Sequence, residues 1–360
     1  MKKILSVFGT RPEAIKMAPI ILKLRTSANF DSKVCVTGQH REMLDTVLES
    51  FKIAPDFDLS IMRSGQTLSY ITQSVMDGID RLTNIWRPDL ILVHGDTTTA
   101  FATALTGFYK QIPVCHIEAG LRSNDIFSPF PEEFNRRSIT MLSSYHFAPT
   151  QETYDRLKCE GIDPERIFLV GNSVIDALKL NLKSPCDIRI PDTQFLLMTV
   201  HRREHSDKEI SSIFNAVKRI LEDHPDITLL YPVHKNPRFQ SAAKSILGNT
   251  TNAILADPME VCKFHHTLSK CRFVITDSGG IQEEAAFLGK PVLVVRKNTE
   301  RKEAELYGTL KLIGTDEKNI YDACSLWIND DTAYMRAAIP CESYGKGDTA
   351  EKIVNILYSI

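Results

Sequence analysis

The stretch Ile4-Leu5-Ser6-Val7-Phe8-Gly9-Thr10-Arg11-Pro12-Glu13-Ala14-Ile15-Lys16 decides the fold. Its apolar run leads directly into a glycine and then a proline, the order of a buried strand, a tight turn and a helix. Gly9 admits the turn and Pro12 suits a first helical turn. In an open α/β sheet such a junction lies at the carboxyl end of its strand, where ligands bind. Arg11 and Lys16 bring two cations to a helix N-terminus that already attracts anions, so the segment predicts a site for a phosphate-bearing ligand. Taken alone, an ordinary turn with two solvated cations accounts for the same residues.

The same alternation continues outward along the chain. Short apolar runs at Ile4–Phe8, Lys33–Thr37, Leu90–His94, Val114–Glu118, Tyr145–Ala148 and Ile167–Val170 read as buried strands. Helical periodicity separates them, notably over Glu42–Phe51, Leu68–Trp86, Thr99–Lys110 and Glu132–Leu142. A second series runs through Phe195–Val200, Thr228–Val233, Ala253–Ala256, Phe273–Thr276 and Val292–Val295. Between the series, Leu182–Thr193 has two prolines and little periodicity, and reads as a linker. Strands that alternate with helices imply mostly parallel sheets covered on both faces. The expected architecture is two α/β domains of similar size facing each other across a cleft.

Composition narrows the class. A chain of 360 residues exceeds what one core usually supports, and 43% hydrophobic content is ample for burial. No apolar run reaches the roughly 18 residues of a membrane span. A net charge of −2 argues against a broad nucleic-acid surface. The basic start Met1-Lys2-Lys3 precedes an apolar run too short for a signal peptide, so a cytoplasmic location is expected. The eight cysteines contain no CxxC pair, and several lie in apparent strands, which fits reduced buried thiols. Asn249-Thr250-Thr251 reads as a chance match to a glycosylation acceptor.

Polar groups gather at the strand ends of the first half. His94-Gly95-Asp96 ends one strand, His116-Ile117-Glu118 ends the next, and Pro131-Glu132-Glu133 opens the following helix. Asp96 alone is a serviceable N-cap, and Glu132 alone favours a helix N-terminus. Jointly they place three carboxylates where parallel strands deliver their C-terminal ends. Such carboxylates exchange protons if burial and mutual repulsion split their pKa values.

The second half repeats the logic at Thr276-Asp277-Ser278-Gly279-Gly280-Ile281-Gln282-Glu283-Glu284. Ser278, Gly279 and Gly280 expose backbone N–H groups and allow close approach of an anion. Glu284, one turn into the helix, comes within reach of a ribose hydroxyl, and Arg296 and Arg301 add positive charge after the next strand. His201-Arg202-Arg203-Glu204-His205 matches the H-x-x-E-H pattern of some zinc peptidases. It ends a strand rather than lying within a helix, and two arginines oppose a dication, so no metal site is assigned. His201 reads instead as a phosphate donor or acid/base group. His265-His266, on an amphipathic helical stretch, is given no special role.

In order, the motifs GTRPEAIKMAP (9–19), TGQHREMLD (37–45), LVHGDTTTAFA (92–102), HIEAGLRS (116–123), SPFPEEFNRR (128–137), GNSVIDAL (171–178), HRRE (201–204), YPVHKNP (231–237), TDSGGIQEEAAFLGKPVLVVR (276–296), TER (299–301) and SYGKGDTAEKI (343–353) resemble those of the non-hydrolysing UDP-N-acetylglucosamine 2-epimerases. The resemblance covers nearly the whole chain. It implies a fold like that of the GT-B glycosyltransferases, with residues 1–170 plus 346–360 as one Rossmann-like domain and 171–345 as the other. The helix around Thr349–Ser359 then returns to the first domain. The implied chemistry breaks the anomeric bond to UDP as C2 loses its proton, gives 2-acetamidoglucal, and adds UDP back after protonation on the opposite face. No redox cofactor and no metal are implied; the implied partners are UDP-N-acetylglucosamine and UDP, the assembly a homodimer, and the downstream use polysaccharide biosynthesis.

By the same resemblance, Arg11, Lys16, His201, Ser278, Gly279, Gly280 and Arg301 hold UDP, Glu284 holds the ribose and Phe264 contacts the uracil. Asp96, Glu118 and Glu132, with His201, form the catalytic set; which carboxylate is base and which is acid stays open. Gln39, Glu42, Glu133 and Arg203 match motifs that bind an allosteric second substrate molecule in many bacterial members. Met259, the segment at His205, Lys302 and Gly65 depart from the common pattern. A glycosyltransferase of the same fold, or a nucleotide-sugar binding protein without turnover, remain the readings of other classes.

Overall fold

The computed structural model describes residues 1–39, 41–202, 204–297 and 303–360, with 42, 43, 303 and 304 described by backbone alone. The chain divides into two compact units: Met1–Leu180 with Tyr344–Ile360, and Asn181–Ser343.

In the first unit, β1 (Lys2–Phe8), β2 (Phe30–Val36), β3 (Phe57–Asp58), β4 (Leu90–His94), β5 (Val114–Ile117), β6 (Tyr145–Ala148) and β7 (Ile167–Leu169) form one sheet. Their order is β3-β2-β1-β4-β5-β6-β7, and every pairing is parallel. The order reverses between β1 and β4, which makes their carboxyl ends the topological switch point. All five residues of β4 are buried, as a strand covered by helices on both faces requires. Leu5, Val7, Ile91 and Val93 pack there against Val75 and Ile79 of the helix Leu68–Ile85.

In the second unit, β8 (Phe195–Thr199), β9 (Thr228–Pro232), β10 (Ala253–Ala256), β11 (Val274–Thr276), β12 (Val292–Val294) and β13 (Leu310–Leu312) follow the order β10-β9-β8-β11-β12-β13, again all parallel. Its switch point lies between β8 and β11. Phe214, Tyr231, Phe239, Phe273 and Trp327 build its core. The two parallel sheets bear out the α/β architecture expected from the alternation.

The expected elements are present, with differences that have physical causes. Glu118 leaves β5 because its φ is +62°, the left-handed region that ends a strand. β3 and β13 escape the periodicity because they are two and three residues long. The segment read as a linker from Leu182 starts within the helix Ser173–Lys183, and the chain passes into the second unit at Asn181. The C-terminal helix Thr349–Ser359 belongs to the first unit. Asp176 accepts hydrogen bonds from its first amides, Thr349 N at 3.2 Å and Ala350 N at 2.9 Å. Among the described residues, no helix is long and apolar enough to cross a membrane.

Candidate active site

At each switch point one buried carboxylate fastens the two strand-end loops. In the first unit this is Glu13, in the first turn of the helix Arg11–Arg25. It accepts from Gly9 N at 3.0 Å, Thr10 N at 2.8 Å and Thr97 Oγ1 at 2.7 Å, joining the loop after β1 to the loop after β4. Burial raises its proton affinity, and these donors act against the rise. A Cβ on Gly9 would lie 2.1 Å from Thr37 Oγ1, so only glycine lets the loops approach this closely. Thr99 Oγ1 donates to Gln39 Oε1 at 3.0 Å beside this turn.

Of the carboxylates predicted from sequence, Asp96 and Glu118 have identifiable partners. Asp96 follows β4 and accepts from Arg136, through Nε at 3.2 Å and also through Nη2. Glu118 follows β5; its Oε2 pairs with Lys16 Nζ and accepts from Asn172 Nδ2 at 2.9 Å. His94 Nε2 lies 3.7 Å from the same oxygen. Burial lowers the His94 pKa to about 4; Glu118 pulls it upward and Lys16 adds to the fall. Glu132 opens the helix Glu132–Leu142, half-buried.

Glu133 is different. It is fully buried and accepts from Ser123 N at 3.0 Å, Arg136 Nη1 at 3.0 Å and Arg137 Nε at 2.8 Å. Burial pushes its pKa upward, but these donors outweigh it and hold the group below the ordinary carboxylate range. One side chain, Arg136, thus bridges Asp96 and Glu133.

In the second unit the fastening carboxylate is Asp277, after β11. It accepts from His201 N and Arg202 N, both at 2.8 Å, and so joins the end of β8 to the end of β11. His201 Nδ1 lies 3.4 Å from Asp277 Oδ1 and His205 Nε2 lies 3.2 Å from Oδ2. Burial works to raise the Asp277 pKa; His205, His201 and the two amides reverse that and lower it. His201, Arg202 and His205 of the H-x-x-E-H segment are therefore organised on an aspartate, and the following helix starts only at Asp207. The His201 ring stacks on His234 with centroids 5.6 Å apart and stays 39% exposed.

Ser278, Gly279 and Gly280 form the N-terminus of the helix Gly279–Phe287. Gly280 has no φ that demands glycine, and a Cβ there would meet no atom within 4 Å. The protein's own packing therefore does not explain the missing side chain, whereas close approach of a ligand does.

Glu284, in the next turn, is buried, and its Oε1 lies 3.3 Å from His265 Nε2. Asn181 Nδ2 donates to His265 Nδ1 at 3.0 Å, which makes Nε2 the protonated nitrogen that faces Glu284. This corrects the reading of His265 as a residue without a special role: it is buried and bonded on both ring nitrogens. Phe264 on the same helix is half-buried, with its ring edge-on to His265. Met259 Sδ accepts from Thr267 Oγ1 at 3.8 Å.

Arg11, half-buried, opens its helix at the first switch point. Arg203, Arg301 and the departure Lys302 lie outside the described residues, as does the side chain of Glu42. Sequence reasoning missed Asn172, Arg136 and His265. Asn172 and Arg136 sit inside motifs already singled out, GNSVIDAL and SPFPEEFNRR, but nothing local shows which carboxylate each meets. Chemically, the first unit offers carboxylates set against cations, suited to moving a proton. The second offers a helix N-terminus, a glycine surface and a positioned glutamate, suited to a nucleotide.

Comparison with known proteins follows this geometry. A family model described as UDP-N-acetylglucosamine 2-epimerase matches residues 22–358. The UDP-N-acetylglucosamine 2-epimerase of Bacillus subtilis (strain 168) is 45% identical over 359 residues, covering 99% of this chain and 94% of the relative. The crystal structure of UDP-GlcNAc 2-epimerase from Neisseria meningitidis bound to UDP-GlcNAc has a TM-score of 0.94 at 41% identity, covering 99% of this chain and 100% of that one. The S. aureus MnaA structure with UDP also has a TM-score of 0.94, at 45% identity, covering 100% of this chain and 96% of that one.

Proposed function

The chain belongs to the UDP-N-acetylglucosamine 2-epimerase family, and from that premise we propose that it interconverts UDP-N-acetylglucosamine and UDP-N-acetylmannosamine by elimination and re-addition of UDP, without hydrolysis. What supports the proposal is that Asp96 and Glu118 follow β4 and β5, bonded to Arg136 and to Lys16 and Asn172, while Glu132 opens the next helix. Epimerisation at C2 needs a proton removed from one face and returned to the other. The C2–H electrons form the C1–C2 double bond of 2-acetamidoglucal as the C1–O bond breaks, and the diphosphate keeps that bonding pair. Reversal protonates C2 and restores the C1–O bond. The sum is redox-neutral, so it balances without an electron acceptor.

The roles divide by chemistry. Asp96, Glu118 and Glu132 act at the sugar as proton-transfer groups and stabilise positive charge developing at C1. Arg11, Lys16 and His201, with Ser278, Gly279 and Gly280, hold the diphosphate; Arg301 is assigned there from sequence. Glu284 takes the ribose and Phe264 the uracil. Gln39, Glu42 and Arg203 stay candidates for a regulatory second substrate molecule. For Glu133 the internal bonding to Arg136 and Arg137 supports a role in orienting Asp96 through Arg136.

Incubation with UDP-N-acetylglucosamine in deuterated water tests the mechanism. Deuterium should enter C2 during turnover, and positional exchange should scramble the oxygen between C1 and the β-phosphorus. Full retention of the C2 proton during epimerisation would overturn it.

A further inference from the structure

Cys186, Cys262 and His266 lie apart from both strand-end sites, and their ligand atoms are all within 4.8 Å of one another. Cys262 and His266 are four residues apart on the helix Val261–Lys270, so they share one face. Cys186 comes from the irregular segment that follows the helix Ser173–Lys183. Cys262 Sγ donates to the carbonyl of Asn181 at 3.9 Å. All three residues are partly open to solvent, which leaves an entry path.

We propose that Cys186, Cys262 and His266 form a binding site for a thiophilic divalent cation of the zinc class, with solvent as the fourth ligand. Tetrahedral zinc with two thiolates and an imidazole holds its ligand atoms about 3.6–3.8 Å apart, from bond lengths of about 2.3 and 2.0 Å. From the 4.8 Å limit the cluster contracts by at most about 1.2 Å to reach that.

The tautomer of the imidazole is set by its backbone partners. His266 Nε2 lies 3.0 Å from the carbonyl oxygens of both Asn181 and Ser184. Those acceptors fix the proton on Nε2 and leave the lone pair on Nδ1, the arrangement that a backbone carbonyl commonly imposes on a metal-bound histidine.

The site also has a structural consequence. Asn181 holds His266 by its carbonyl and His265 by its side chain. A bound ion would fasten segment 181–186 to the helix that carries His265 and Phe264. Its role is structural and lies outside the proposed proton chemistry.

The test is an anaerobic titration of the full-length, tag-free, fully reduced protein with Co(II). One equivalent should bind with thiolate-to-cobalt charge-transfer absorption and an intense tetrahedral visible band, both removed by Zn(II). Cys186→Ser and Cys262→Ser should each lose charge-transfer intensity, and His266→Gln should weaken binding about 10–100-fold. Cys159→Ser, which removes an exposed thiol elsewhere, should change nothing. In the wild-type protein, no charge-transfer band at one equivalent overturns the proposal, whatever the variants do. A band that survives both cysteine substitutions overturns it too.

Discussion

Lys16 and Glu118 form an ion pair in which the two side chains are only 10% and 9% exposed. The pair joins the helix after β1 to the residue after β5, and Asn172 Nδ2 donates to the same carboxylate oxygen. A cation assigned to the diphosphate is therefore also the partner of a carboxylate assigned to proton transfer.

The pair predicts a particular stability pattern. Removing one partner of a buried pair leaves the other charge uncompensated, a loss of about 3–5 kcal/mol. Lys16→Met should therefore destabilise the protein strongly, and Lys16→Met with Glu118→Gln should recover most of that loss. Urea unfolding of the wild type, Lys16→Met, Glu118→Gln and the double variant measures the cycle. Additive losses in the double variant would mean that the two charges do not compensate each other.

Asp96→Asn, Glu118→Gln and Glu132→Gln keep shape and remove a titratable group. Turnover should fall by about 10²–10⁴-fold if each transfers a proton, with UDP affinity little changed. Calorimetric titration with UDP separates loss of chemistry from loss of fold. A variant that keeps near-normal turnover returns that carboxylate to a purely structural role, for Asp96 the anchoring of Arg136.

Gly280→Ala should separate binding from stability. A Cβ there meets nothing within 4 Å, and alanine suits a helix better than glycine by roughly 0.5–1 kcal/mol. Thermal stability should hold or rise, while UDP affinity falls about tenfold, or ~1.4 kcal/mol. Unchanged affinity would move the phosphates away from this helix end.

Stability should decline as pH falls from 6.5 toward 4. Burial lowers the folded-state pKa of His94 to about 4, and of His116 and His146 to about 3, from an ordinary value of 6.5. Across that window the unfolded chain binds protons that the folded chain refuses, so acid favours unfolding. Glu13 and Asp176, whose pKa values burial raises, work in the opposite direction but are two groups against three. Melting temperatures between pH 7 and 4 check the sign; a flat profile would contradict it.

Much of this was legible in the sequence because strand-end chemistry sits inside short contiguous motifs. Gly9, Asp96, Glu118 and the Ser278-Gly279-Gly280 turn could be placed at strand ends from periodicity alone. Their partners could not. Asn172 meets Glu118 across 54 residues, and Arg136 meets Asp96 across 40. Such contacts depend on strand order, which local patterns do not encode. His265 escaped for the same reason: an amphipathic helix gives its buried face, not the glutamate on a neighbouring helix that the face meets.

The contact between His265 and Glu284 gives the last prediction. With the ribose assigned to Glu284, His265 is expected to act as a positioning residue: it lies 3.3 Å from Glu284 while Asn181 fixes its tautomer. His265→Phe removes both hydrogen bonds and leaves Glu284 without its donor, so UDP affinity should fall about 5–10-fold, near 1–1.4 kcal/mol. Glu284→Gln should lower affinity at least as much. If His265 acts only by aiming Glu284, the double variant should bind UDP no more weakly than Glu284→Gln alone, because coupled residues are not additive. Loss of affinity for 2′-deoxy-UDP should be smaller in both single variants, since one of the ribose hydroxyls that Glu284 is assigned to hold is absent. Calorimetry with both nucleotides resolves these arms. Fully additive losses in the double variant would show that His265 acts independently of Glu284.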